Sequence, residues 1–419
     1  MPSKLAVQTA LRDPLLWIAL VLRIALLAWT IPRGHWQLGD TQYYLDSAKM
    51  VCDGAWGGGV GRTPLYSWYL CALSSLGGGI GPALCLQALL SWAVGLWLAT
   101  KPRPFGRIAS LLWLFDPVIL IYGSFVMSDL IFAVLIFLLA LQMARILPSF
   151  EKMSSSDGAV LGALMALVVL QRPIGEPLML VSLIFLFVLT VLKRVSVKPV
   201  VTVILVTTTL LLPRLYWVHS LTGQWTLAQQ GHNMILSTAG VVENSRLGLN
   251  LKDSEEKWMH DHPDAQYSAA LETIKTHIPD LLFLSAKGAL RTVVGHVNVE
   301  WFYAITGKGV VGPGWLKARD RIPGALQISD FFPTLLWSLG LLWTFSSSLF
   351  GYLLVWRRIR PGSPDRPSAV YLVWAALALA VLAVSPQVYG DARFRAPIWG
   401  IVMALLIIPK SPVRSVDRA

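Results

Sequence analysis

An all-α polytopic membrane protein with about ten transmembrane helices is the fold this chain predicts, on three observations. Only 14% of its 419 residues are charged while 55% are apolar, with a mean hydropathy of +0.60; soluble domains carry about 25% charge. Apolar runs recur at 14–31, 82–99, 108–122, 129–147, 158–171, 177–192, 199–218, 331–356, 368–386 and 397–409, close to the ~20 residues that cross ~30 Å of hydrocarbon. The 35 basic residues, against 23 acidic ones, gather in short clusters between the runs. That distribution is a topology signal rather than a basic face for nucleic acid, and no nucleic-acid partner is expected.

Taken in order, Lys4 and Arg12 precede the run Pro14–Ile31. Its length and the lack of a small-x-small cleavage site predict an uncleaved first span. The stretch 64–78 is apolar and aromatic but short. If it crossed, the basic segment Lys101-Pro-Arg-Pro-Phe-Gly-Arg107 would fall outside, so it is expected to be an outer juxtamembrane helix. Both termini and the segments 100–107, 148–157, 193–198 and 357–367 then face the cytoplasm and hold most of the Lys and Arg. The soluble-like stretch 220–330 is expected to form a small cap on the other side. The chain thus divides into an N-terminal transmembrane module, 1–219, with its first outer loop at 32–81; the cap, 220–330; and C-terminal transmembrane helices, 331–419. Cys52, Cys71 and Cys85 have no metal or redox spacing, and an odd count gives no disulfide framework.

On this topology the polar residues out of keeping with a membrane chain return to the outer face. Asp40, Tyr43, Tyr44 and Asp46 lie in the first loop with Arg62 behind them; Asp129 starts span four; Arg172 and Glu176 join spans five and six; Tyr389, Arg393 and Arg395 precede the last span. Each has a plain reading beside a chemical one. Asp40 can cap a helix or act as a general base. Asp129 can be a first-turn acid behind a capping Ser128. Arg172 can snorkel to the interface or offer its fork of donors to a phosphate. Asp116, before Pro117 within span three, can start a helix segment or line a cavity. Arg23, in the middle of span one, must pair or face a cavity, and Asp116 is a candidate partner. Arg393 and Arg395, outside against the positive-inside trend, call for a partner; a lipid phosphate is the economical one and Asp391 another. The pair His260-Asp-His262 reads as solvated surface rather than a metal site.

The pattern Gly39-Asp40-x-x-Tyr43-Tyr44-x-x-x-Ala48 followed by Arg62-Thr-Pro-Leu-Tyr66 resembles the first outer loop of GT-C glycosyltransferases, and Gly390-Asp-Ala-Arg-Phe-Arg-Ala-Pro397 resembles the segment before the last span in bacterial members. These are polytopic enzymes that use polyprenyl-phosphate sugars, such as the protein O-mannosyltransferases and the bacterial aminoarabinose transferases. The resemblance implies a catalytic acid at Asp40 and a second at Asp129, with Tyr43, Tyr44, Asp46, Arg62, Asp116, Arg172, Glu176, Tyr389, Arg393 and Arg395 toward the substrates. Many relatives have a paired acid where Thr41 follows Asp40, which leaves Asp40, Asp46 and Asp129 as alternatives for the base. A divalent metal, Mg or Mn, would find Asp40 and Asp129 and little else.

A lipid-linked phosphate is a good leaving group, so inverting transfer needs one carboxylate to take the acceptor's proton and cations to hold the departing phosphate. The expected activity is transfer of one sugar from a polyprenyl phosphate to a glycan, lipid or protein acceptor. The expected place is the periplasmic side of a bacterial inner membrane. A transporter or flippase of lipid-linked sugars, which would place polar groups at midplane, and a glycan ligase or polymerase using a polyprenyl-diphosphate donor are the rival classes.

Overall fold

The computed structural model describes residues 3–37, 40–102, 104–192, 196–228, 230–244, 267–294, 331–363, 366–384 and 395–408, with short pieces at 254, 257–258, 260–261, 304–305, 310–311 and 326–327. The described residues are helical almost throughout. A short helix α1 (Lys4–Leu11) leads into α2 (Pro14–Arg33), which Asp13 caps through the Leu15 N–H at 3.2 Å and which Gly34 ends in the left-handed region, φ 71°. Then come α3 (Thr41–Cys52), α4 (Leu65–Ser74), α5 (Gly81–Ala99), α6 (Phe105–Phe115), α7 (Pro117–Tyr122), α8 (Asp129–Ile146), α9 (Ser155–Gln171), α10 (Gly175–Val191) and α11 (Val197–Thr222). The C-terminal helices are α12 (Gln230–Glu243), α13 (Tyr267–Thr276), α14 (Ile278–Val294), α15 (Phe331–Ile359), α16 (Ala369–Val384) and α17 (Arg395–Ile407).

The protein is a polytopic membrane protein. Among the described residues, five helices are long and apolar enough to cross a bilayer: α2, α5, α8, α11 and the 338–359 part of α15. Five shorter apolar helices, α6, α9, α10, α16 and α17, occupy the remaining expected runs. At ten residues, α4 is too short to cross. The run 108–122 is two helices rather than one, because Asp116 leaves the helical region at ψ 125° and Pro117 opens α7, with the Asp116 Oδ1 accepting from the Val118 and Ile119 N–H groups at 2.9 and 3.2 Å.

The core centres on α8 and α17, the latter buried at every residue. Gly400 makes the approach possible, since a Cβ there would stand 2.8 Å from the Ala133 carbonyl of α8. In the expected cap, Trp258 is buried with Ala239 and Ala270, and the bundle reaches across to this stretch through Tyr352, whose hydroxyl donates to the Val293 carbonyl at 3.0 Å, and Trp29, whose indole donates to Ile305 at 3.0 Å. Val310–Val311 and Leu326–Gln327 pair in parallel, the only strands among the described residues.

The cysteine expectation is corrected. Cys52, the last residue of α3, and Cys71 in α4 form a disulfide with their Cα atoms 5.6 Å apart, leaving Cys85 free and exposed. The two helices pack side by side, so a separation of 19 residues becomes a contact.

Candidate active site

Asp40 stands at the N-terminal boundary of α3, yet its side chain caps nothing. Its Oδ1 instead accepts from the Arg62 guanidinium at 2.8 Å, and both side chains keep partial access, 18% and 15%. The same guanidinium lies over the rings of Tyr43 and Tyr44, at 5.6 and 5.5 Å. Tyr43 points outward and is exposed, while Tyr44 is buried. Asp46 lies on the exposed surface of α3, where it accepts from Gln42 at 2.7 Å. That solvated pair takes it away from the contact between Asp40 and Arg62.

Asp129 is fully buried in the first turn of α8, and Ser128 before it does not cap the helix with its side chain. The Ser128 hydroxyl is taken by the Tyr44 hydroxyl, 2.7 Å away. Arg172 is buried and forms a salt bridge with Asp129 Oδ1, so it does not snorkel. The chain brings Arg172 there because Pro173 follows, which forces residue 172 into an extended conformation, φ −155° and ψ 142°, and ends α9. Removing one member of such a pair strands a charge and costs about 3–5 kcal/mol. Asp129 Oδ2 and the neighbouring Gln171 Oε1 are buried acceptors with no partner of their own, while Gln171 Nε2 donates to the Ser128 carbonyl at 3.1 Å. Each can accept from a hydroxyl or water brought into the site.

The two acid–arginine pairs are therefore joined. α3 carries Asp40 and Tyr44, and Tyr44 bonds the turn that carries Ser128 and Asp129; Thr41 bonds the same turn through the Val126 carbonyl at 3.3 Å. Tyr66, the last residue of the Arg62–Tyr66 motif and not among the expected site residues, stacks edge-on against Tyr44 at 4.9 Å and donates to Gln87 at 2.7 Å, and Gln87 donates to the Phe125 carbonyl at 3.1 Å. Burial, and then the nearby Tyr69, Tyr44 and Asp129, push the Tyr66 phenol well above its ordinary range, so it remains a donor. No local motif marks Gln87, and Tyr66 closes the Arg62–Tyr66 motif without its role being readable there; the packing of α4 on α5 gives both their roles.

Asp116 and Arg395 form a second, separate group. Both are fully buried and form a salt bridge; Arg395 also bonds Ser348, and Ser347 lies 3.4 Å from Asp116 Oδ2. This corrects one expectation. Arg23 does not hold Asp116; it donates to Ser91 and to the Ala19 carbonyl, each at 3.1 Å. Arg395, expected like Asp116 toward the substrates, pairs with it. Glu176 sits half-buried in the first turn of α10, where the helix dipole favours an acid. Tyr389 and Arg393, with Asp391, lie outside the described residues.

Among the described residues no group of three or more His, Cys, Asp and Glu could hold a metal ion. Asp40 and Asp129 are each already compensated by an arginine. Among the described residues, these two paired carboxylates alone are a poor donor set for a divalent cation, which takes six or more oxygens, waters included.

No family model and no curated protein matches the chain. Among solved structures it is similar to ArnT from Cupriavidus metallidurans in the apo state, at 15% identity and a TM-score of 0.38 over 93% of this chain and 76% of that one. It is similar also to the same protein bound to undecaprenyl phosphate, at 16% identity and a TM-score of 0.37 over the same shares. A likeness of this strength fixes neither family nor activity.

Proposed function

We infer that the protein is a membrane glycosyltransferase that moves a sugar from a polyprenyl-phosphate donor to an acceptor hydroxyl. The observation that carries this reading is the joining of two acid–arginine pairs, Asp40 with Arg62 and Asp129 with Arg172, through the hydrogen bond between Tyr44 and Ser128. Of the three candidate bases, Asp40 is the one that is both partly accessible and held by a cation. Its carboxylate takes the acceptor's proton as the acceptor oxygen forms its bond to the anomeric carbon. The bond from that carbon to the phosphate oxygen breaks, and the polyprenyl phosphate leaves with the electron pair. Arg62, with donors beyond the one given to Asp40, is suited to the departing phosphate. Asp129 and Arg172 form the buried floor beneath Asp40 and Arg62.

The disulfide between Cys52 and Cys71 supports placing this face outside the cytoplasm, since such bonds persist in oxidising compartments such as the periplasm. The donor is tested by offering the purified protein polyprenyl-monophosphate and polyprenyl-diphosphate sugars with candidate acceptors, with EDTA in a parallel arm. Turnover of the monophosphate donor, unchanged by EDTA, is the expected result. Turnover of the diphosphate donor alone would make the protein a ligase or polymerase, and turnover of neither would remove the transferase reading.

A further inference from the structure

Arg214 has no place in the site described above, yet it is buried, 1% exposed, and each of its nitrogens ends on a backbone carbonyl. Nε donates to Leu227 at 2.9 Å, Nη1 to Gly57 at 2.6 Å, and Nη2 to Gly59 at 3.1 Å and to Arg62 at 2.7 Å. Three of these carbonyls belong to the link 53–64 between α3 and α4, whereas Arg214 itself comes from α11, some 150 residues away in sequence. One turn further along α11, Trp217 lies so close on Gly57 that a side chain at 57 would collide with the indole. The link is fastened from its other side by Ser47 of α3, whose hydroxyl accepts from the Gly59 N–H at 3.0 Å and from Ser67 of α4 at 2.9 Å. The disulfide between Cys52 and Cys71 closes its base.

Burying a guanidinium on neutral carbonyls alone is costly, and an apolar side chain would fill the space more cheaply. What only arginine provides is a planar fork wide enough to fix several carbonyls at once. The last carbonyl it fixes is that of Arg62, whose side chain leaves this immobilised backbone to reach Asp40 at 2.8 Å.

We propose that Arg214 is a positioning residue that holds the backbone of 57–62 so that Arg62 meets both Asp40 and the phosphate of the donor. This rests on the transferase reading of Arg62 and Asp40. A lysine at 214 keeps the charge but offers its donors from a single point and cannot hold four carbonyls.

The test compares Arg214→Lys, Arg62→Ala and the double variant in the full-length purified protein, using a polyprenyl-monophosphate sugar and following amide hydrogen exchange. Arg214→Lys is expected to raise the KM for the donor about tenfold, as Arg62→Ala does, with the double variant no worse than either single one. Exchange should quicken in 53–64 while α8 and α17 keep their protection. A merely structural role would lower the yield of folded protein and leave the KM of the remainder unchanged, which would overturn the proposal. An unchanged KM in Arg62→Ala would defeat the transferase role of Arg62 instead. Where Arg214→Lys does not fold, Trp217→Leu frees the same link without stranding a charge, and unchanged exchange and KM in that variant would equally overturn the proposal.

Discussion

The hydroxyls of Tyr44 and Ser128, 2.7 Å apart and buried, tie the helix that carries Asp40 to the turn that carries Asp129. Through this contact a loop beyond the first span and the head of the fourth become one polar group. Acid and arginine alternate around it in a way that leaves Asp40 accessible and Asp129 enclosed.

The pair of Asp129 with Arg172 is expected to behave as a buried ion pair. Arg172→Ala or Asp129→Ala alone should cost about 3–5 kcal/mol by stranding the partner, whereas Asp129→Leu with Arg172→Met should recover most of that stability. Thermal unfolding in detergent measures both. The double variant is expected to be folded and inactive.

The group of Asp116 and Arg395 predicts a ranking. Asp116→Ala removes the N-cap of α7 together with the partner of a fully buried arginine, and is expected to lower stability by about 3–5 kcal/mol. Arg23→Leu removes a cation bonded only to a hydroxyl and a carbonyl, replaces it with an apolar group, and should cost far less. The same unfolding measurement on the two variants compares them.

The disulfide predicts a thiol count. In the intact, oxidised protein a maleimide should label only Cys85, and after denaturation and reduction all three cysteines. Cys52→Ser is expected to cost about 3 kcal/mol, the entropy-model value for a loop of this size.

Tyr66 and Tyr69 predict a loss of stability in alkali. Burial raises both phenols above the ordinary value of 10.0. The stabilisation is therefore complete below pH 10 and falls as pH rises above it, because the unfolded chain loses protons that the folded chain keeps. The slope of unfolding free energy against pH above 10 measures this, and Tyr66→Phe should flatten it.

The transmembrane architecture was legible because the requirement for ~20 apolar residues acts on each helix separately. Hence α2, α5, α8 and α11 fall where the hydropathy runs do, and α4 is too short to cross. The break at Asp116-Pro117 was half legible: the proline marks it, but the runs on either side merge into one. Pairings were not legible. Arg395 meets Asp116 from 279 residues away, and Arg23, which had to find a partner, finds Ser91 instead. Cys52 and Cys71 meet only because α3 and α4 lie alongside each other. Arg214 gave no signal, since a single arginine toward the end of a span reads as snorkelling until the carbonyls around it are seen.

The accessible carboxylate at the centre of this account is Asp40, and the most direct measurement is release of polyprenyl phosphate from a polyprenyl-monophosphate sugar by the wild-type protein and by Asp40→Asn. With both proteins shown to unfold at the same temperature, the account predicts a fall of about 100-fold or more, the contribution of a general base. An Asp40→Asn protein that turns over within about twofold of wild type would contradict it.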